Sequence, residues 1–177
     1  ETNAKRMKPP AIRRVWERLE HSLDLIFTGG SNPLRNLGAI ACLMFAILMF
    51  SGIYLYAFFD TSVQGAWQSV NALSVDQPYI GGWLRSMHRY AADAFMIATM
   101  LHLIREWIMG HHSRFRRVTW LTGIPLLAFM YVSGIGGFWL NWDKLGQYAA
   151  MASAELLDAL PLMATSLSRN FLSAGSV

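Results

Sequence analysis

Residues 37–59 run for 23 positions without a charged side chain, enough for a helix to cross the roughly 30 Å of hydrocarbon in a bilayer. Residues 118–140 form a second run of this kind. Between them, residues 81–109 carry Arg85, Arg89, Asp93, Arg105 and Glu106, yet most of the stretch 90–104 is apolar. Charges inside a membrane are costly and face a protein interior or a cavity, so this middle segment is expected to be the crossing that carries chemistry. A chain 54% apolar and only 15% charged is far from the composition of a soluble domain. The expectation is an all-α membrane protein with three transmembrane helices, forming one domain over residues 1–177. No nucleic-acid partner is expected.

A shared interval runs through the three segments. His88 and His102 are fourteen residues apart in the middle one, Gly38 and Gly52 in the first, and Gly123 and Gly137 in the third. Fourteen residues fall just short of four helical turns, so each pair lies on nearly one face and is separated by roughly 21 Å along the axis. Histidine gives haem iron an axial nitrogen, and glycine lets a flat macrocycle approach a helix backbone where a side chain would collide. The matched intervals therefore point to two large planar ligands held by a helical bundle. A lone membrane histidine or glycine pair is ordinarily a packing feature; the argument rests on the coincidence of three intervals. The only cysteine, Cys42, lies in an apolar run and excludes a disulfide framework or a cysteine cluster built from this chain alone.

Basic residues set an orientation. Eleven of the fifteen Lys and Arg lie in residues 1–36 or 105–117, and residues 60–83 contain none. Cytoplasmic loops carry the excess of Lys and Arg, so the N-terminus and the 110–117 loop are expected on the cytoplasmic side, with bacterial inner membrane the expected location. His88 then belongs near the outer surface and His102 near the inner one. Residues 11–28 place Ile12, Val15, Trp16, Leu19, Leu23 and Ile26 at helical spacing, with Arg13, Arg14, Glu17 and Glu20 on the other positions, which predicts an interfacial helix. Residues 146–163 predict outer-surface helices, too interrupted by Glu155, Asp158 and Pro161 to cross.

The middle segment, from Gly81-Gly82-Trp83-Leu84-Arg85-Ser86-Met87-His88 to Leu101-His102-Leu103-Ile104-Arg105, resembles the second helix of the cytochrome b and b6 family. The likeness covers about residues 15–171. It implies two haem b groups, each taking one axial ligand from this chain, at His88 and at His102. It implies that Gly38, Gly52, Gly123 and Gly137 face the haems and that Arg85 and Arg105 contact haem propionates. A guanidinium at the membrane edge neutralises and anchors such an anion. The family also implies a quinone or quinol as reaction partner, companion redox subunits, and a homodimer.

Three departures shape the expectation. The family's remaining axial histidines lie on a fourth helix, and this sequence stops at about the point where that helix would begin; continuation of the chain, or a fourth helix from another polypeptide, is expected. Where the family has Pro-Trp-Gly-Gln after the third helix, this chain reads Asn141-Trp142-Asp143-Lys144, which argues against a bifurcating outer quinol site. Asn36 stands two residues before Gly38, where cytochrome b6 holds a cysteine for an additional haem, so no covalent haem is expected. The resulting expectation is a di-haem membrane cytochrome subunit carrying electrons between the quinone pool and redox partners. The alternatives are a b-haem anchor wiring a peripheral iron-sulfur or molybdenum oxidoreductase to quinone, and a haem-free scaffold. His21, His111 and His112 are expected to be structural or solvated. Asp93 points about 140° from His88 around the helix, which suits a partner-subunit contact or a proton route.

Overall fold

The computed structural model describes residues 10–27, 30–111 and 117–159, and every regular element among them is helical. The order is α1 (Ala11–Asp24), α2 (Leu37–Phe58), α3 (Ala66–Val75), α4 (Trp83–Ile108), α5 (Arg117–Leu140) and α6 (Lys144–Asp158), with a π-helical turn Pro78–Gly82 leading into α4. Helices α2 and α5 are long and apolar enough to cross a membrane. Helix α4 has 26 residues but retains the five charges noted above, so length and composition alone do not make it a third crossing.

Expected boundaries move by small amounts for identifiable reasons. Helix α1 stops at Asp24 rather than reaching residue 28, and Thr28 lies outside the described residues. Helix α6 starts two residues early because Asp143 caps it: the extended Asp143 accepts the Gly146 N–H at 2.6 Å, satisfying a donor that the first helical turn leaves open. Expected helix beyond residue 159 lies outside the described residues. The middle segment does not begin as an α-helix at residue 81, since Gly81 and Gly82 close the π-turn.

The chain divides into two compact units. The first comprises Glu1–Ile47 with Ala91–Phe129. Here α1 is tied down by Asn32, which is fully buried: its side-chain amide donates to the Glu20 carbonyl and to Asp24, both at 2.8 Å, and its side-chain oxygen accepts the Leu34 N–H at 3.0 Å. Asn36 donates to the carbonyls of Gly30 and Asn32, so the residue standing at the family's cysteine position shapes the entry to α2. Leu37, Ala41, Ala91, Ala98 and Ile108 are the buried apolar residues, and the Phe45 and Phe95 rings meet at 5.8 Å.

The second unit comprises Leu48–Tyr90 with Met130–Val177. Its helix α3 was not foreseen: only Ala66 and Leu73, two turns apart, are buried, too sparse a stripe to read from sequence. Helix α3 packs against the π-turn, where a Cβ on Gly81 would stand 2.6 Å from the Leu73 carbonyl. Buried Gly146, Ala150 and Ala154 give α6 a stripe of small residues at four-residue spacing. Trp142 takes the left-handed conformation (φ 47°) at the corner between α5 and α6, an arrangement that costs a non-glycine residue energy.

The loop into α3 is built on Asp60, whose carboxylate accepts the Ser62 N–H at 2.8 Å. That backbone hydrogen bond, and then the Ser62 hydroxyl, hold the Asp60 carboxyl below its ordinary value of 3.8. A depressed carboxylate stabilises the loop fully above the ordinary value and loses that contribution as pH falls through the lowered one. The protection factor of the Ser62 amide against hydrogen exchange is therefore expected to fall on acidification below about pH 4, and Asp60→Asn to remove this dependence. Gly81→Ala is expected to lower stability by about 1–3 kcal/mol, because the methyl meets backbone that cannot rotate away; thermal melts in detergent provide the measurement.

Candidate functional site

Each unit pairs one α4 histidine with one α2 glycine. In the second unit, a Cβ added to Gly52 would lie 3.2 Å from His88 Cε1, so a side chain there would crowd the imidazole edge. His88 Nδ1 is 2.9 Å from Ser51 Oγ, and Ser51 is 1% exposed. The Ser51 hydroxyl donates to the Leu48 carbonyl at 3.3 Å. With its proton directed there, the Ser51 oxygen can accept from Nδ1–H, the tautomer that leaves the Nε2 lone pair available. Metal-ligating histidines are oriented in this manner, with one nitrogen held by a protein acceptor and the other presented to the metal.

In the first unit, a Cβ on Gly38 would lie 3.2 Å from His102 Cε1 and 3.6 Å from Nε2. His102 opens onto a cavity of about 450 Å³ that is also lined by Leu103, Glu106, His111, Thr119, Trp120 and Gly123. Position 37, before Gly38, is a leucine where position 51 is a serine, so the two imidazoles have different surroundings. Among the described residues, no three His, Cys, Asp or Glu side chains converge as a bare-ion site. A metal here would have to bring most of its own ligands, as a porphyrin does.

The other expected site residues are distributed unevenly. Gly123 lines the His102 cavity with Leu103 3.9 Å from its added Cβ, and Gly137 has nothing within 4 Å. The α5 glycines thus leave open space, whereas those of α2 seat imidazoles. Arg85 is exposed and donates to the Ser74 hydroxyl at 2.7 Å. Arg105 is mostly buried and donates to Glu20 at 2.8 Å and Glu106 at 3.2 Å. Asp93 is exposed. A second cavity, of about 220 Å³, lies in the second unit beside Phe59, Ala66, Gly136, Trp139 and Trp142.

Two sequence expectations need correction. Glu20 was assigned to the polar face of α1, but it is 5% exposed and bonded to Trp16 and Arg105. His111 was expected to be a solvated loop residue. Instead, α4 ends in a reversal at Gly110 (φ 77°), with Gly110 N–H bonded to Trp107 and His111 N–H to Glu106. This glycine-terminated pattern folds His111 back so that Nδ1 lies 2.6 Å from the Glu106 carboxylate, on the wall of the cavity. Glycine after a helical run was the available signal for that turn. Nothing local signalled Glu20, whose partner Arg105 is 85 residues away. Ser51 could have been found from its place beside Gly52.

Comparison with known proteins gives the family. The pattern of the family described as cytochrome b/b6/petB matches residues 24–177, and the chain belongs to the cytochrome b/b6 family. It is 31% identical over 133 residues to a cytochrome b6 from Tupiella akineta, covering 75% of this chain and 61% of the relative. It is 32% identical over 132 residues to a cytochrome b6 from Gloeobacter violaceus, with coverages of 75% and 61%. The chain thus spans about three fifths of the length of these relatives. Ser51→Ala is expected to cost about 1 kcal/mol, the usual worth of such a hydrogen bond. It should also mix the His88 tautomers, which the imidazole nitrogen chemical shifts report directly.

Proposed function

We propose that the chain is the di-haem part of a b-type membrane cytochrome, carrying electrons across the bilayer between a quinone or quinol pool and partner redox subunits. The observation that carries this reading is the pair of glycine–imidazole contacts, Gly52 with His88 and Gly38 with His102, repeated at one interval on α2 and α4. Packing alone gives no reason for a helix to set bare backbone opposite a histidine twice at the same interval. Family membership supports the cofactor class.

Haem iron, when bound, supplies a one-electron redox centre. His88, with Nδ1 held by Ser51, would present Nε2, and His102 faces the larger cavity. The residues fit the group: the cavity beside His102 is roomy, Gly123 and Gly137 leave space along α5, and Arg105 brings a guanidinium to the edge of the first unit. Arg85 is the corresponding cation of the second unit, and its bond to the Ser74 hydroxyl leaves donors for a propionate. The apolar helices would surround such a centre with a low-dielectric sleeve.

We further infer three crossings, by α2, α4 and α5, with the N-terminus on the cytoplasmic side. The charges of α4 lie towards its two ends except Asp93, which suits a span with charged ends and one contact to a partner subunit. Helix α1 lies on the membrane surface: Ile12, Val15 and Leu19 are each more than half exposed, along a single face. Helix α6 covers the outer side. A fourth helix, from a continuation or another chain, and a second copy in a homodimer complete the assembly.

A second reading has an observation in its favour. The Trp142–Asp143 corner, with its left-handed tryptophan and capping aspartate, stands where the family's Pro-Trp-Gly-Gln would be. That change favours a b-haem anchor connecting a peripheral iron-sulfur or molybdenum oxidoreductase to quinone without a bifurcating outer site, and copurification of such a subunit distinguishes it.

His88→Ala and His102→Ala are each expected to remove one of two spectroscopically distinct b-type haems from purified membranes, and His111→Ala to remove neither. Retention of both haems by either of the first two variants overturns the ligand assignment. Gly52→Leu is expected to abolish the His88 haem, because the added side chain occupies the position of the imidazole.

A further inference from the structure

We propose that Glu20, on the surface helix α1, is a positioning residue for Arg105 and thereby sets the reduction potential of the haem held by His102, leaving the His88 haem unaffected. The inference rests on the proposed haem ligation and adds a residue to which that ligation assigns no part.

The geometry is specific. Glu20 is 5% exposed, and its Oε1 accepts both the Trp16 indole N–H and Arg105 Nε–H, each at 2.8 Å. Its Oε2 lies 3.5 Å from Arg35 Nε, but Arg35 is half exposed and is directed chiefly to Asp24, at 2.7 Å. The Arg105 side chain is 17% exposed. Glu20 is therefore the buried anion of a buried cation, held at the C-terminal end of α4, three residues beyond His102.

Several donors of Arg105 remain. A guanidinium offers five N–H groups in a rigid fork. Nε donates to Glu20 and Nη1 to Glu106, which leaves the Nη2 side of the fork available to an anion. Glu20 thus fixes which edge of the guanidinium is presented. It also offsets part of the positive charge that would otherwise favour electron uptake nearby. In a low-dielectric setting such a charge acts over several ångströms. The Trp16 indole draws on the same carboxylate oxygen and so moderates the anion.

This arrangement couples the seat of α1 to the redox centre. Asn32 bonds to the carbonyl of Glu20 while the Glu20 side chain bonds to Arg105, so the residue that anchors the surface helix also sets the electrostatics of one haem. In the second unit Arg85 donates instead to a neutral hydroxyl, that of Ser74.

The test is a redox titration of the full-length protein in its membrane complex, following the two reduced b-type bands in wild type, Glu20→Gln and Trp16→Phe, with haem content measured by extraction. Glu20→Gln keeps the shape and an acceptor but removes the charge. The expected result is two haems per chain, with the reduced-to-oxidised ratio of the His102 haem at fixed ambient potential raised on the order of three- to tenfold and that of the His88 haem unchanged. Trp16→Phe keeps the charge and removes its indole donor, and should move the same haem in the opposite direction, which keeps the test decisive if Glu20→Gln fails to assemble. Unmoved potentials, or equal shifts of both haems, overturn the inference. Assignment of the bands uses His102→Ala; retention of both haems in that variant overturns the ligation itself, a failure distinct from unmoved potentials.

Discussion

An imidazole edge meets helix backbone at two places on α2. At Gly38 and at Gly52 an added Cβ would stand 3.2 Å from His102 and from His88. A side chain at either position would crowd the ring, and with it the nitrogen that the proposed ligation uses. The apolar length of α2, the charged ends of α4 and the small residues packed in each unit are arrangements that allow these two approaches. Helix association in hydrocarbon depends on such close packing, because lipid is as apolar as the side chains it would replace.

The two approaches are alike in backbone and unlike in surroundings. His88 has the Ser51 hydroxyl on its Nδ1 edge. His102 follows a leucine-glycine pair on α2, opens onto a cavity, and lies one turn from an arginine engaged by two carboxylates. Both are histidines on one helix, so any difference between groups held at them arises from these neighbours.

Much of this was legible from the sequence. The apolar runs gave helices α2 and α5 to within a residue, because length and the absence of charge leave a membrane-buried backbone few alternatives. The fourteen-residue interval singled out both histidines and the two α2 glycines, which the structure brings into contact, although the sequence reading set those glycines against planar ligands and not against imidazoles. The distinction between α2 glycines that seat imidazoles and α5 glycines that leave space was not legible, since helical spacing gives the face of a residue and not its neighbour. Helix α3 was missed because its buried stripe is two residues. Glu20 was misplaced because a helical wheel treats every carboxylate as solvent-facing until a partner is known.

The division follows from the range of the forces. By itself, the amino-acid order determined the long apolar helices, their likeness to cytochrome b and the register of the histidines, all of which depend on patterns within one segment. Only the tertiary structure decided that His88 Nδ1 meets Ser51, that His111 folds back onto Glu106, and that a carboxylate on α1 is buried against Arg105. Those outcomes depend on desolvation and hydrogen bonding between groups brought together by packing, and a burial cost has no value until the surroundings that exclude water are in place.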